Sequence, residues 1–119
     1  AGVLALGDFN DDADSLSLRI AQGAFYGVDA AQVLTNFSVR APEARRFSVL
    51  HHGRPALIDH VLGTRELAER WESTRILNDA LRDPGPFEPN AGPAPDSDHA
   101  PVIVSFASPE NHAPSSSSR

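Results

Sequence analysis

One short apolar run in this chain carries a charge in its middle. Residues 56–62 read Ala-Leu-Ile-Asp-His-Val-Leu, so Asp59 falls between Leu57 and Val61 on one face of any strand formed there. A carboxylate on an apolar strand face is costly unless a partner holds it. Two readings follow. Asp59 lies on an edge strand and turns to water, or it is buried and held by a group such as a histidine, which it would orient and stabilise in the charged form.

The other apolar runs are equally short and end in chemistry-bearing residues. Residues 3–6, Val-Leu-Ala-Leu, run into Gly7-Asp8-Phe9-Asn10. This pattern predicts a strand buried on both faces. Asp8 would stand at its C-terminal end, where open α/β sheets place ligands. Asp8 and Asn10 would share a side if the chain stays extended, one as acceptor or base, the other as amide donor. The alternative is a strand-to-loop turn in which both only cap backbone groups. Ser97-Asp98-His99-Ala100-Pro101 leads into the last apolar run, Val102–Phe106. There His99 could serve as acid, base or oxyanion stabiliser, and Asp98 could bind a metal or its water. A solvated loop pair is the plainer alternative.

Between these runs, Ser15 can cap a helix over Leu16–Gln22 that stops at Gly23. Residues 33–37 fit either strand or helix. Residues 47–51 and 56–62 read as a hairpin around the turn at 52–55. Thr64 can cap a helix reaching Trp71, with Glu66 and Arg70 as an i,i+4 pair. Residues 74–77 predict a strand. Six of the ten prolines fall in 84–101, predicting a loop, and the serine-rich end after residue 108 predicts a disordered tail at 109–119.

The 119 residues suffice for one domain, here assigned to 1–108. Hydrophobic residues at 40% and charged residues at 22% suit a globular chain. A net charge of -6 argues against general polyanion binding. Only residues 40–54 are basic, with Arg40, Arg45, Arg46 and Arg54 against Glu43, and could meet phosphates. A solvated hairpin rim is the alternative. The absence of cysteine excludes disulfides, thiolate zinc sites and thiol catalysis, and leaves the compartment open. The acidic cluster from Asp8 to Asp14 lacks the glycine and glutamate that a calcium loop needs, since Ala13 and Arg19 stand at those places. No run is long enough to span a membrane. The chain has no methionine and opens directly into an apolar run, so it is expected to be part of a longer protein.

Gly7-Asp8-Phe9-Asn10, Leu57-Ile58-Asp59-His60-Val61 and Ser97-Asp98-His99-Ala100-Pro101-Val102 occur in this order. Together they resemble the three C-terminal motifs of the endonuclease/exonuclease/phosphatase superfamily. The stretch from Arg46 through Gly53-Arg54 to His60 is similar to an uncharacterised bacterial branch of it. The resemblance implies an α/β fold: half of a four-layer α/β sandwich, with mostly antiparallel sheet and flanking helices. It implies a divalent-metal-dependent phosphoester hydrolase, using Mg2+ or Mn2+, on a nucleic acid or a small or lipid-borne phosphate ester. Asp8 would position or deprotonate the attacking water, and Asn10 would hold a phosphate oxygen. Asp98 would bind or orient the metal. His99 would act at the phosphate, and Asp59 would fix its tautomer. Arg45, Arg46 and Arg54 would be candidate phosphate contacts. The family's N-terminal motifs, with a further metal-binding glutamate, have no counterpart here. The family also often has tyrosine where this chain has His60, and a basic residue where it has Leu57. The isolated chain is therefore expected to be inactive without its missing N-terminal half. A remnant that only binds a partner is the competing class.

Overall fold

The computed structural model describes residues 2–24, 27–81 and 97–110. It mixes short helices with three antiparallel sheets. Strand β1 (Leu4–Asp8) pairs with β5 (Asp59–Gly63), which also pairs with the two-residue β2 (Thr35–Asn36). Strands β3 (Val49–His51) and β4 (Arg54–Ala56) form a hairpin, and β6 (Trp71–Ile76) pairs with β7 (Val102–Phe106). Helix α1 (Leu16–Gln22) follows β1, and α2 (Arg65–Arg70) joins β5 to β6.

Local chemistry explains most of these elements. The Ser15 hydroxyl accepts from Leu18 N, capping α1. Gly23 ends it at φ 75, with Ala24 N donating to Arg19 O, a left-handed glycine stop. In the hairpin, His51 pairs with Arg54, leaving His52 and Gly53 as the loop. Their φ values of 50 and 77 are both positive, as a two-residue hairpin turn of this hand requires.

Several sequence expectations need correction. The first strand is the outer strand of its sheet and is exposed along its length, not buried on both faces, because no layer among the described residues covers it. Val3 is 59% and Leu6 64% exposed. The hairpin partner of β3 is Arg54–Ala56 alone. The apolar run then leaves the hairpin and pairs with β1 as the central strand β5, which removes the edge-strand reading of Asp59. Residues 33–37 resolve into β2 followed by a 3-10 turn, Phe37–Arg40. Helix α2 ends at Arg70, and Trp71 already belongs to β6, which therefore starts three residues before the expected strand. Thr64 precedes α2, but its hydroxyl accepts from Val3 N rather than capping the helix. Most of the proline-rich stretch and residues 111–119 of the tail lie outside the described residues.

Two apolar clusters hold the chain together. Phe37 packs with Val61 and Leu67 and meets Phe106 edge-to-face at 5.0 Å. Ala41, Leu57, Ile76 and Ala100 form the second cluster, and Val102 touches both. The 3-10 turn is the bolt between sheets. Ser38 Oγ accepts from Val61 N at 3.0 Å, while Thr74 Oγ1 donates to Phe37 O at 2.7 Å. The Arg40 guanidinium lies over both Phe37 and Trp71, 5.4 and 5.0 Å from their ring centres. No helix among the described residues is long and apolar enough to cross a membrane.

Candidate functional site

The antiparallel register sets Asp8 directly opposite Asp59. Directly paired residues point to the same face, so two carboxylates stand side by side at the end of β1 and the start of β5. Like charges so placed repel unless a cation or a proton joins them. His99 arrives from the segment before β7. That segment is held twice just past His99: Ala100 N donates to Ser48 O at 2.7 Å, and Leu77 N donates to Pro101 O at 3.0 Å.

The His99 ring donates from Nδ1 to Asp59 Oδ2 at 2.7 Å. Its other nitrogen, Nε2, lies 3.8 Å from Asp8 Oδ2 and 3.7 Å from Asp98 Oδ1. Ligand-type atoms of Asp8, Asp59 and His99 lie within 4.8 Å of one another. Exposure grades across the group: side chains of Asp59 and His99 are 20% and 28% exposed, those of Asp8 and Asp98 41% and 59%. Asp59 is thus the inner anchor, and Asp8 and Asp98 form the open mouth. The hydrogen bond to Asp59 raises the His99 pKa above its usual 6.5, and the charges of Asp59, Asp8 and Asp98 add to this, against a smaller opposing effect of burial.

Asn10 departs from the extended geometry expected of it. Its φ is 54, and its backbone N donates to Asp8 Oδ1 at 2.8 Å, so the chain turns at once after β1. Asparagine tolerates this left-handed conformation better than most residues. The turn holds Asp8 by one oxygen and leaves the other toward His99. The backbone-capping alternative therefore holds for Asp8, which faces His99 as well.

The basic residues stay apart from this group. Arg45 donates to Asn78 Oδ1 at 3.0 Å and forms an ion pair with Asp79. Arg46 donates twice to Ala41 O, at 3.0 and 2.9 Å. Both guanidinium groups thus tie down the segment around the Glu43–Arg45 turn, which competes with the phosphate contacts expected of them. Arg54 is exposed on β4. The His51 and His52 rings pack edge-to-face at 4.3 Å at the hairpin tip.

Sequence reasoning missed two buried supports. His60 points to the opposite face from Asp59 and is 1% exposed. Its Nδ1 accepts from Asn36 Nδ2 at 3.0 Å and its Nε2 donates to Asp11 O at 2.8 Å. Asn36 Oδ1 accepts from Ser38 N, which fixes the amide end that faces the ring. Phe9 meets the same ring edge-on at 5.8 Å. Ser48 is fully buried, and its hydroxyl accepts from Ile58 N and Asp59 N. Strand alternation could have placed His60 on the inner face. No pattern in the sequence marks Ser48.

Chemically, Asp59 holds His99 with Nδ1 protonated and Nε2 aimed between two carboxylates. Without a proton, Nε2 can take one from water. With one, it can donate to an anionic oxygen. Asp8 and Asp98 are hard, accessible oxygen donors suited to a divalent cation such as magnesium or manganese, whereas Asp59 commits one oxygen to Nδ1. No family model, curated protein or solved structure matches the chain.

Proposed function

We propose that this chain carries the water- and proton-handling part of a divalent-metal-dependent phosphoester hydrolase, nuclease- or phosphatase-like. The observation behind this reading is a single one: a histidine anchored by a buried-side carboxylate, with its free nitrogen between two exposed carboxylates. Phosphodiesters repel nucleophiles by their charge. Their hydrolysis calls for a positioned water, a group to take its proton and charge neutralisation at the phosphate. Asp8 orients the water, His99 accepts its proton or stabilises the developing charge, and Asp59 keeps the ring in register. Asp98, with Asp8, holds Mg2+ or Mn2+, which when bound neutralises phosphate charge. The Asn10 side chain contacts a phosphate oxygen.

In this reading the chain forms one half of a four-layer α/β sandwich, and a preceding half supplies the remaining metal-binding glutamate. The exposed apolar side chains of Val3, Leu4 and Leu6 favour such a covering layer. The same exposure also favours the second reading, an inert module that binds a partner through this face. Among substrates, the acidic charge and the internal engagement of Arg45 and Arg46 favour a small or lipid-borne phosphate ester over duplex DNA.

The test compares the 119-residue chain with the longer protein on a generic phosphodiester in Mg2+. The short chain should show no turnover. The longer protein should turn over and lose about 10²–10⁴ of its rate in His99→Ala, with the fold retained by circular dichroism. Full activity in His99→Ala refutes the hydrolase reading.

A further inference from the structure

We infer that Ser48 is the positioning residue that sets Asp59 and His99 against each other. Four bonds converge on this one fully buried residue. Its hydroxyl accepts from Ile58 N at 3.1 Å and from Asp59 N at 3.3 Å, the two peptides that deliver the Asp59 side chain. Its carbonyl accepts from Ala100 N at 2.7 Å, one residue past His99. Its own N–H donates to Ala56 O at 2.9 Å, closing the base of the hairpin. The Ile58 peptide passes the linkage on, because its carbonyl accepts from Phe9 N at 2.9 Å, next to Asp8. Residues 56–59 and Ala100 thus meet at Ser48, and Phe9 joins them one step away through the Ile58 carbonyl.

The chemistry explains the residue type. A hydroxyl oxygen has two acceptor sites and can receive both neighbouring N–H groups at once. Alanine keeps the carbonyl bond to Ala100 but offers nothing to Ile58 N and Asp59 N. Part-buried donors left without an acceptor are costly, so the start of β5 shifts to find one. The Asp59 carboxylate shifts with it, and the 2.7 Å contact to His99 has little room for displacement.

The inference deepens the hydrolase reading and rests on it for its purpose. Its test reads hydrogen bonds in the 119-residue chain, so either can fail alone. With 15N-labelled histidine, two ring N–H protons should exchange slowly with water: His99 Nδ1–H, identified by its loss in Asp59→Asn, and His60 Nε2–H, bonded to Asp11 O. Ser48→Ala should speed exchange of the His99 proton by about tenfold or remove its signal, leave the His60 proton as it was, and be rescued by Ser48→Thr. A His99 signal unchanged in Ser48→Ala overturns the inference. Should Ser48→Ala lose both signals by unfolding, the wild-type chain decides through the scalar coupling across Ala100 N–H···O=C Ser48. Its presence upholds the linkage and its absence overturns it.

Discussion

His99 is the group whose protonation its surroundings bias most plainly. The Asp59 carboxylate raises the imidazole pKa in the fold, so folding favours the charged ring. The resulting stability is fully present below the unfolded value near 6.5 and is lost as pH rises through the raised value. Asp59→Asn removes the main cause. Denaturant titrations should therefore show the widest gap between wild type and Asp59→Asn in mildly acid buffer, below about pH 6.5, narrowing toward alkaline pH. The second prediction concerns Asn36, 6% exposed, whose amide serves both His60 Nδ1 and Ser38 N. Asn36→Ala leaves both without their partner and should cost about 1–3 kcal/mol by chemical denaturation.

At the scale of elements, the 3-10 turn Phe37–Arg40 matters more than its length suggests. It bonds to β5 through Ser38 and to β6 through the Phe37 carbonyl, and buries Phe37 completely. Phe37→Ala should lose about 3–5 kcal/mol and broaden the unfolding transition if the sheets separate, as read by calorimetry. Neighbouring Gly63 shows how tight this junction is: an added Cβ would lie 2.5 Å from Phe37 Cε2. This turn was the least legible part of the sequence. Residues 33–37 satisfy strand and helix patterns alike, and only the packing of Phe37 between β5 and β7 decides between them. Capping chemistry was legible where it is local, as at Ser15 and Gly23 for α1. Pairing was not. The run 56–62 looks like one hairpin arm, yet register across more than fifty residues sends Asp59 to face Asp8. The same limit holds for the site. Asp8, Asp59, Asp98 and His99 announce themselves by residue type at strand ends, whereas Ser48 acts through a buried hydroxyl that any serine could offer.

For the whole molecule, the apolar surface left open on β1 and α1 is the dominant property. Phe37, Leu62 and Leu18 are buried, while Leu4, Leu6, Leu16 and Ile20 stand 42%, 64%, 71% and 52% exposed on β1 and α1. Strand β1 is also the outer strand of its sheet, where unpaired backbone invites association. Sedimentation velocity of the 119-residue chain should show concentration-dependent association, and Leu6→Lys should reduce it while leaving the fold unchanged, since Leu6 is exposed.

The passage from α2 into β6 without a connecting loop has its own corollary. Trp71 closes the helix and opens the strand at once, and its indole N–H donates to Thr74 Oγ1, locking the corner. Past a bulge between Trp71 and Ser73, the ladder runs from Ser73 beside Ser105 to Ile76 beside Val102, three residues from His99. The imidazole is therefore surveyed from a fixed benchmark. One residue inserted after Thr74, past the bulge, would turn the rest of β6 to the wrong side and carry the histidine away from its carboxylates, although no atom of the site had been touched.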